Sequence, residues 1–87
     1  MSGRDGNETH DPLAALNLPA AVLARAHKLL ERIQQAHDAA ELWRAADRAE
    51  GFVLGLETVK ALNPASIEGL YLVFDNAATA RRLEQEK

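Results

Sequence analysis

Cysteine is absent from the chain. That excludes a disulfide framework and any zinc or iron–sulfur centre held by thiolates. It fits a reducing compartment, and the N-terminus has no apolar signal core, so a cytoplasmic setting is expected. No apolar run approaches the roughly 20 residues that a helix needs to span a bilayer, so no membrane partner is expected. Serine is nearly missing: Ser2 and Ser66 are the only two, and neither stands in a G-x-S-x-G nucleophile turn. A glycine-rich phosphate loop and an H-E-x-x-H zinc motif are likewise missing. Positive charge is the scarcer sign, with 10 Lys and Arg against 13 Asp and Glu, a net charge of −3 and a pI near 5.5. Bulk charge therefore does not favour nucleic acid as a partner. Aromatic side chains are few, namely Trp43, Phe52, Tyr71 and Phe74. Any surface that displays one of them holds a large part of the available contact energy.

Alanine and leucine fill the space these absences leave. The chain has 17 alanines and 13 leucines, a composition that strongly favours helix. The first ten residues, MSGRDGNETH, are polar and glycine-containing and read as a disordered arm over residues 1–10. The remaining ~75 residues make a single helical domain over 11–87, short enough that the core is marginal unless it packs very well or the chain oligomerises.

The longest periodic stretch is DAAELWRAADRAEGFVLGLETVKAL, residues 38–62. Leu42, Ala45, Ala49, Phe52, Leu56 and Val59 recur at spacings of three and four and form one stripe of a helix. Asp38 is suited to cap it, with Glu41 three residues on, and Asn63-Pro64 is suited to stop it. Two oppositely charged pairs, Glu41/Arg44 and Arg44/Asp47, add only about 0.2–0.5 kcal/mol each. Gly51 and Gly55 stand one turn apart. A glycine inside a helix costs about 1 kcal/mol relative to alanine, so the pair points to close backbone approach, or else to a bend. Trp43 and Leu54 lie off the main stripe. A helix that is apolar on two sides needs two things to pack against.

A first helix is expected over residues 19–35, opened by Leu18-Pro19, with Val22, Leu23, Ala26, Leu29, Leu30 and Ile33 as its apolar set. Before it, Asp11-Pro12 opens a short turn that lays Leu13, Leu16 and Leu18 over the core edge as a lid. The link through Ala36, His37 and Asp38 is short enough to make the first two helices a hairpin. A third helix is expected over residues 66–85, capped by Ser66 or Asn63, with Ile67, Leu70, Tyr71, Phe74, Ala77, Ala78 and Arg81 as its stripe. FVLGL (52–56) and LYLVF (70–74) are apolar runs too short to assign alone, and the second is rich in strand-favouring residues. Both continue the helical pattern set around them. The expected fold is all-α, a helical hairpin plus a third helix in a three-helix bundle, with a short N-terminal lid turn.

Chemistry-bearing constellations are sparse. His27/Glu31 and His37/Glu41 are His–Glu pairs one turn apart, but two ligands do not close a zinc site, and solvated surface pairs are the plainer reading. The carboxylates sit on helix faces beside basic partners. No enzyme activity, cofactor or metal is expected. Arg25, Lys28 and Arg32 form a ridge on the first helix, joined by Arg44 and Arg48 across the hairpin, suited to an acidic partner or a phosphate. The larger signal is apolar surplus: Trp43, Gly51, Leu54, Gly55 and Leu72, with Val73, fall off the simplest core stripes, and aromatic anchors of this kind are enriched at interface hot spots.

Two fragments carry a likeness to a known family. The first holds Leu30, Arg32, Ile33, Ala36, Leu42 and Arg44; the second is VFDNAATAR, with Val73, Phe74, Ala77, Ala78 and Arg81. Together they resemble the Hha/YmoA type of small bacterial nucleoid modulator, over about half the chain, with a longer stretch between them than that family has. The resemblance implies a small helical protein that binds a larger DNA-binding partner and modulates transcription.

The functional expectation is a non-enzymatic interaction or regulatory module. It binds a protein partner or a second copy of itself as a homodimer through the second and third helices. Small accessory and inhibitor proteins of mobile elements have this size and shape. The alternative is a nucleic-acid-associated regulator that uses Arg25, Lys28 and Arg32.

Overall fold

The computed structural model describes residues 11–87; the expected disordered arm lies outside the described residues. A single 3-10 turn, Ala14–Leu16, precedes three helices: α1 (Ala20–Gln34), α2 (Ala39–Thr58) and α3 (Pro64–Gln85). No strand occurs among the described residues, and the fold is the all-α three-helix bundle expected from the sequence. FVLGL and LYLVF lie inside α2 and α3. Their strand preference yields to the 3.6-residue apolar pattern on either side of them.

Local chemistry sets the helix starts. Pro19 is extended, with ψ 149°, and its carbonyl accepts the Leu23 N–H at 2.9 Å. The Asp38 carboxylate accepts the Glu41 N–H at 2.8 Å, and the Glu41 carboxylate accepts the His37 N–H in return. This is a reciprocal cap shifted one residue outward from the usual box. Asn63 caps α3 by accepting the Ser66 N–H at 2.8 Å, with Pro64 at the first helical position. The third helix therefore starts at Pro64 rather than at residue 66, because Asn63 and not Ser66 supplies the cap.

The end of α2 also differs from expectation. The helix stops at Thr58, not at 62, because Lys60 turns left-handed with φ 54°. The Lys60 N–H then donates to the Glu57 carbonyl at 3.1 Å and the Ala61 N–H to the Leu56 carbonyl at 2.9 Å. These two bonds make a Schellman ending, a position that glycine usually holds. Val59 accordingly leaves the expected stripe and is 72% exposed.

The core lies where the three helices meet the lid. Leu13, Leu29, Ile33, Val53 and Leu70 are its largest fully buried side chains, and no polar residue is buried among the described ones. Val53, outside the expected stripe, is fully buried, whereas Ala45, Phe52 and Leu56 are half-buried. Packing on α1 and α3 at once turns the buried side of α2 toward Val53, and its contact with α3 is the more extensive. Short links make successive helices neighbours.

The lid docks as the sequence suggests. The Asp11 carboxylate accepts the Leu13 N–H at 3.0 Å and, through its other oxygen, a hydrogen bond from His27 Nε2 at 2.8 Å. The His27 bond is the main reason that the Asp11 carboxyl lies below its ordinary value. Leu16 lies on Gly69: a Cβ there would stand 2.5 Å from Leu16 Cδ2. At the other end, Arg81 Nε donates to the Ala36 carbonyl at 2.8 Å and Gln85 Nε2 to the same oxygen at 3.1 Å. An orphan carbonyl just past α1 is thus satisfied from α3, with a cation at the negative end of the α1 dipole.

Lys60 is exposed and strained, which makes it a test of the helix ending. Lys60→Gly removes the left-handed penalty and is expected to stabilise the fold by about 0.5–1 kcal/mol. Thermal denaturation checks this; an unchanged or lower Tm contradicts the left-handed ending.

Candidate functional site

Of the side chains expected to lie off the core, Trp43 is 69% exposed and Leu54 and Leu72 are each 55% exposed, whereas Val73 is half-buried and packs against the core. The three exposed side chains do not form one patch. A groove of about 430 Å³ between α2 and α3 is lined by Trp43, Tyr71 and Leu72, with Ala46, Phe74 and Ala78 at its base. Trp43 comes from the first turns of α2 and Leu72 from the middle of α3; antiparallel packing brings them to one groove. Leu54 lies on the same side of α2 as Trp43 but roughly 16 Å further along the helix, outside the lining.

Gly51 and Gly55 belong to neither wall. At about 100° per residue they fall on the outer side of α2, and a Cβ built on either meets nothing within 4 Å. Among the described residues they allow no close approach, and α2 runs through both without a break. Tight backbone packing at these positions is therefore not part of the bundle.

Charge defines the groove as much as apolar surface does. Asp47 and Glu50 line it from α2, Glu68 and Asp75 from α3, and among the described residues no lysine or arginine lines it. A second recess of about 550 Å³ toward the α2–α3 turn shares Glu68 and Tyr71 and adds Glu57, Leu62 and Ile67, with Lys60 as its one cation. The Tyr71 hydroxyl joins the two walls by donating to Glu57 at 3.1 Å. Its pKa is raised above the ordinary 10.0, first by partial burial and then by the Glu57 hydrogen bond and the negative charges of Glu57 and Glu50.

These carboxylates read in the sequence as ordinary solvated faces, and Tyr71 as core. One signal lay in the pattern itself. Glu68, Leu72 and Asp75 recur at spacings of four and three, which puts an acidic edge and an exposed leucine on one side of α3.

The basic residues divide. Arg32, Arg44 and Arg48 line a separate groove between α1 and α2, together with Gln35, His37 and Glu41. Arg25 and Lys28 are exposed on α1 outside that lining. His27 faces Asp11 rather than Glu31, and His37 meets Glu41 through its backbone N–H. Among the described residues no group of three or more histidine, aspartate or glutamate side chains is placed to hold a metal ion. None of the described helices is long and apolar enough to cross a membrane.

Two measurements check this site. Tyr71 is the only tyrosine, so phenolate absorbance reports it alone. Its midpoint is expected above 10.0, with Glu57→Gln bringing it down. The folded chain holds the phenolic proton more tightly than the unfolded one, so this stabilising contribution is complete below the unfolded pKa. It is lost as the pH rises through the folded value. Separately, Gly51→Ala and Gly55→Ala fill open space and are expected to raise stability by about 1 kcal/mol each, read by denaturant unfolding. Destabilisation would reveal a close contact at these positions.

Comparison with protein-family models, with curated proteins and with solved structures finds no match to this chain.

Proposed function

We propose that the chain is a non-enzymatic protein-interaction module whose contact face is the groove between α2 and α3. The single observation behind this reading is Trp43. The only tryptophan of the chain is 69% exposed on the wall of an apolar groove that Leu72 lines from the opposite helix. The core closes without either side chain, so their exposure serves no packing need within the described residues. Large aromatic side chains that line a cleft are characteristic anchors of protein interfaces. A regulatory or accessory role, exerted by binding a larger protein, is the form of activity that such a contact face suits.

Two features favour a protein over nucleic acid. The net charge is −3, and among the described residues the groove that holds Trp43 has carboxylates as its only charged lining. The ridge of Arg25, Lys28 and Arg32 does not supply a comparable cleft, since only Arg32 reaches the α1–α2 groove, where Glu41 offsets part of its charge.

The test is site-specific cross-linking in the source cell. A photoreactive residue in place of Leu72 is expected to trap a discrete protein species. One in place of Leu83, exposed on α3 but outside the groove, is expected not to. Trp43→Ala should reduce the trapped species severalfold while helicity by circular dichroism stays unchanged. Identical products from positions 72 and 83, or trapping indifferent to Trp43→Ala, would remove the groove from the interface.

A further inference from the structure

The groove has two chemically unlike parts. Its apolar lining includes Trp43 from α2 and Tyr71 and Leu72 from α3; among the described residues its charged lining is wholly anionic, from Asp47, Glu50, Glu68 and Asp75. The recess that continues it toward Pro64 adds Glu57 against Lys60. Lining residues on α3 run from Pro64 to Ala78, a span of about 21 Å at 1.5 Å per residue. That is the length of about four turns of helix.

Building on the interaction reading, we propose that the groove takes a basic amphipathic helix of a partner protein. The helix lays an apolar stripe on Trp43, Tyr71 and Leu72 and turns its lysines or arginines toward the carboxylates. Charge complementarity selects this occupant. An apolar channel with anionic edges attracts a segment that is apolar on one face and cationic at its flanks, as helix-in-groove recognition requires.

Other occupants fit less well. A second copy docked symmetrically would meet the same surface. Asp47, Glu50, Glu68 and Asp75 would then face their own equivalents, and like charges brought together oppose association. A second copy offering its Arg32, Arg44 and Arg48 groove instead makes a head-to-tail contact, which extends into rings or open polymers. An added strand finds no sheet edge in a helical bundle. Nucleic acid carries the same sign as the groove.

Because Trp43 is the only tryptophan, its fluorescence reports occupancy directly. The probe is a synthetic peptide of about 16 residues, four to five helical turns, with leucines at i, i+3 or i+4, and i+7 and lysines elsewhere. Two controls accompany it: a scrambled peptide of the same composition, and a version with glutamate for lysine. The amphipathic basic peptide is expected to bind with a blue shift of Trp43 emission. The scrambled peptide should bind at least about tenfold more weakly and the acidic one not at all.

Glu50→Lys combined with Glu68→Lys should cost at least about tenfold in affinity, while Glu31→Lys, exposed on α1 and outside the groove lining, should not. The neutral pair Glu50→Gln and Glu68→Gln gives the same ranking without charge reversal, and helicity by circular dichroism confirms that each variant folds. Equal affinity for the scrambled peptide, or indifference to the Glu50 and Glu68 changes, overturns the proposal. So does a solution mass that rises with concentration while the peptide fails to bind, since the occupant is then a second copy. Specific cross-linking from position 72 without affinity for the basic peptide overturns this inference alone and leaves the interaction reading standing. Loss of both results removes the two together.

Discussion

Apolar burial at the junction of the three helices is the constraint on which everything else rests. Leu13, Leu29, Ile33, Val53 and Leu70 are fully buried there with no buried polar residue among them. Such a core supplies free energy in proportion to area but carries no direction. Direction comes from the helix ends. Asp38 and Lys60 set where α2 starts and stops and Asn63 sets where α3 starts, and Arg81 with Gln85 fastens the end of α3 to the corner after α1. A charge-assisted bond of the Arg81 kind contributes on the order of 1.5–3 kcal/mol. It also fixes the position of α3 along its axis, and with it the position of Leu72 relative to Trp43.

The lid adds a second fixed point. Leu13 fills the core from outside the three helices, while Asp11 and His27 tie the turn to α1. Leu16 rests where Gly69 leaves room. The absence of a side chain at Gly69 therefore does for packing what Gly51 and Gly55 do not. Three helical glycines look alike in the sequence; their surroundings differ, and among the described residues only Gly69 has a neighbour where a Cβ would stand.

Much of the architecture was legible because alanine, leucine and the 3.6-residue pattern agree over long stretches. Helix type, helix number, the Asp38 cap and the lid all follow from local rules. What escaped depends on neighbours. The left-handed Lys60 carries no sequence mark of the kind glycine would leave. Val53 is buried because α2 packs against two helices at once, which a single stripe does not describe. Arg81, placed on an apolar stripe by its spacing, turns out to cap a carbonyl 45 positions away. For the candidate site, Trp43 and Leu72 were identifiable as surplus apolar residues. Their union in one groove was not, because it requires the antiparallel docking of α2 on α3. The acidic lining was hidden for the same reason. Asp47 and Glu50 belong to one helix and Glu68 and Asp75 to another, and each pair alone looks like a solvated face.

Gly51 and Gly55 have a consequence for motion. Each lowers helix propensity by about 1 kcal/mol against alanine, and neither is compensated by a contact. Propensity alone therefore favours local opening in the second half of α2 over the alanine-rich first half that carries Trp43. Local opening of this kind is graded along a chain, and segments that adapt to partners come from its low-stability end. Every α2 residue that lines the groove, from Trp43 to Glu50, lies ahead of both glycines. The wall that carries Trp43 is thus built from the glycine-free stretch of α2, and an opening at Gly51 or Gly55 begins beyond its lining.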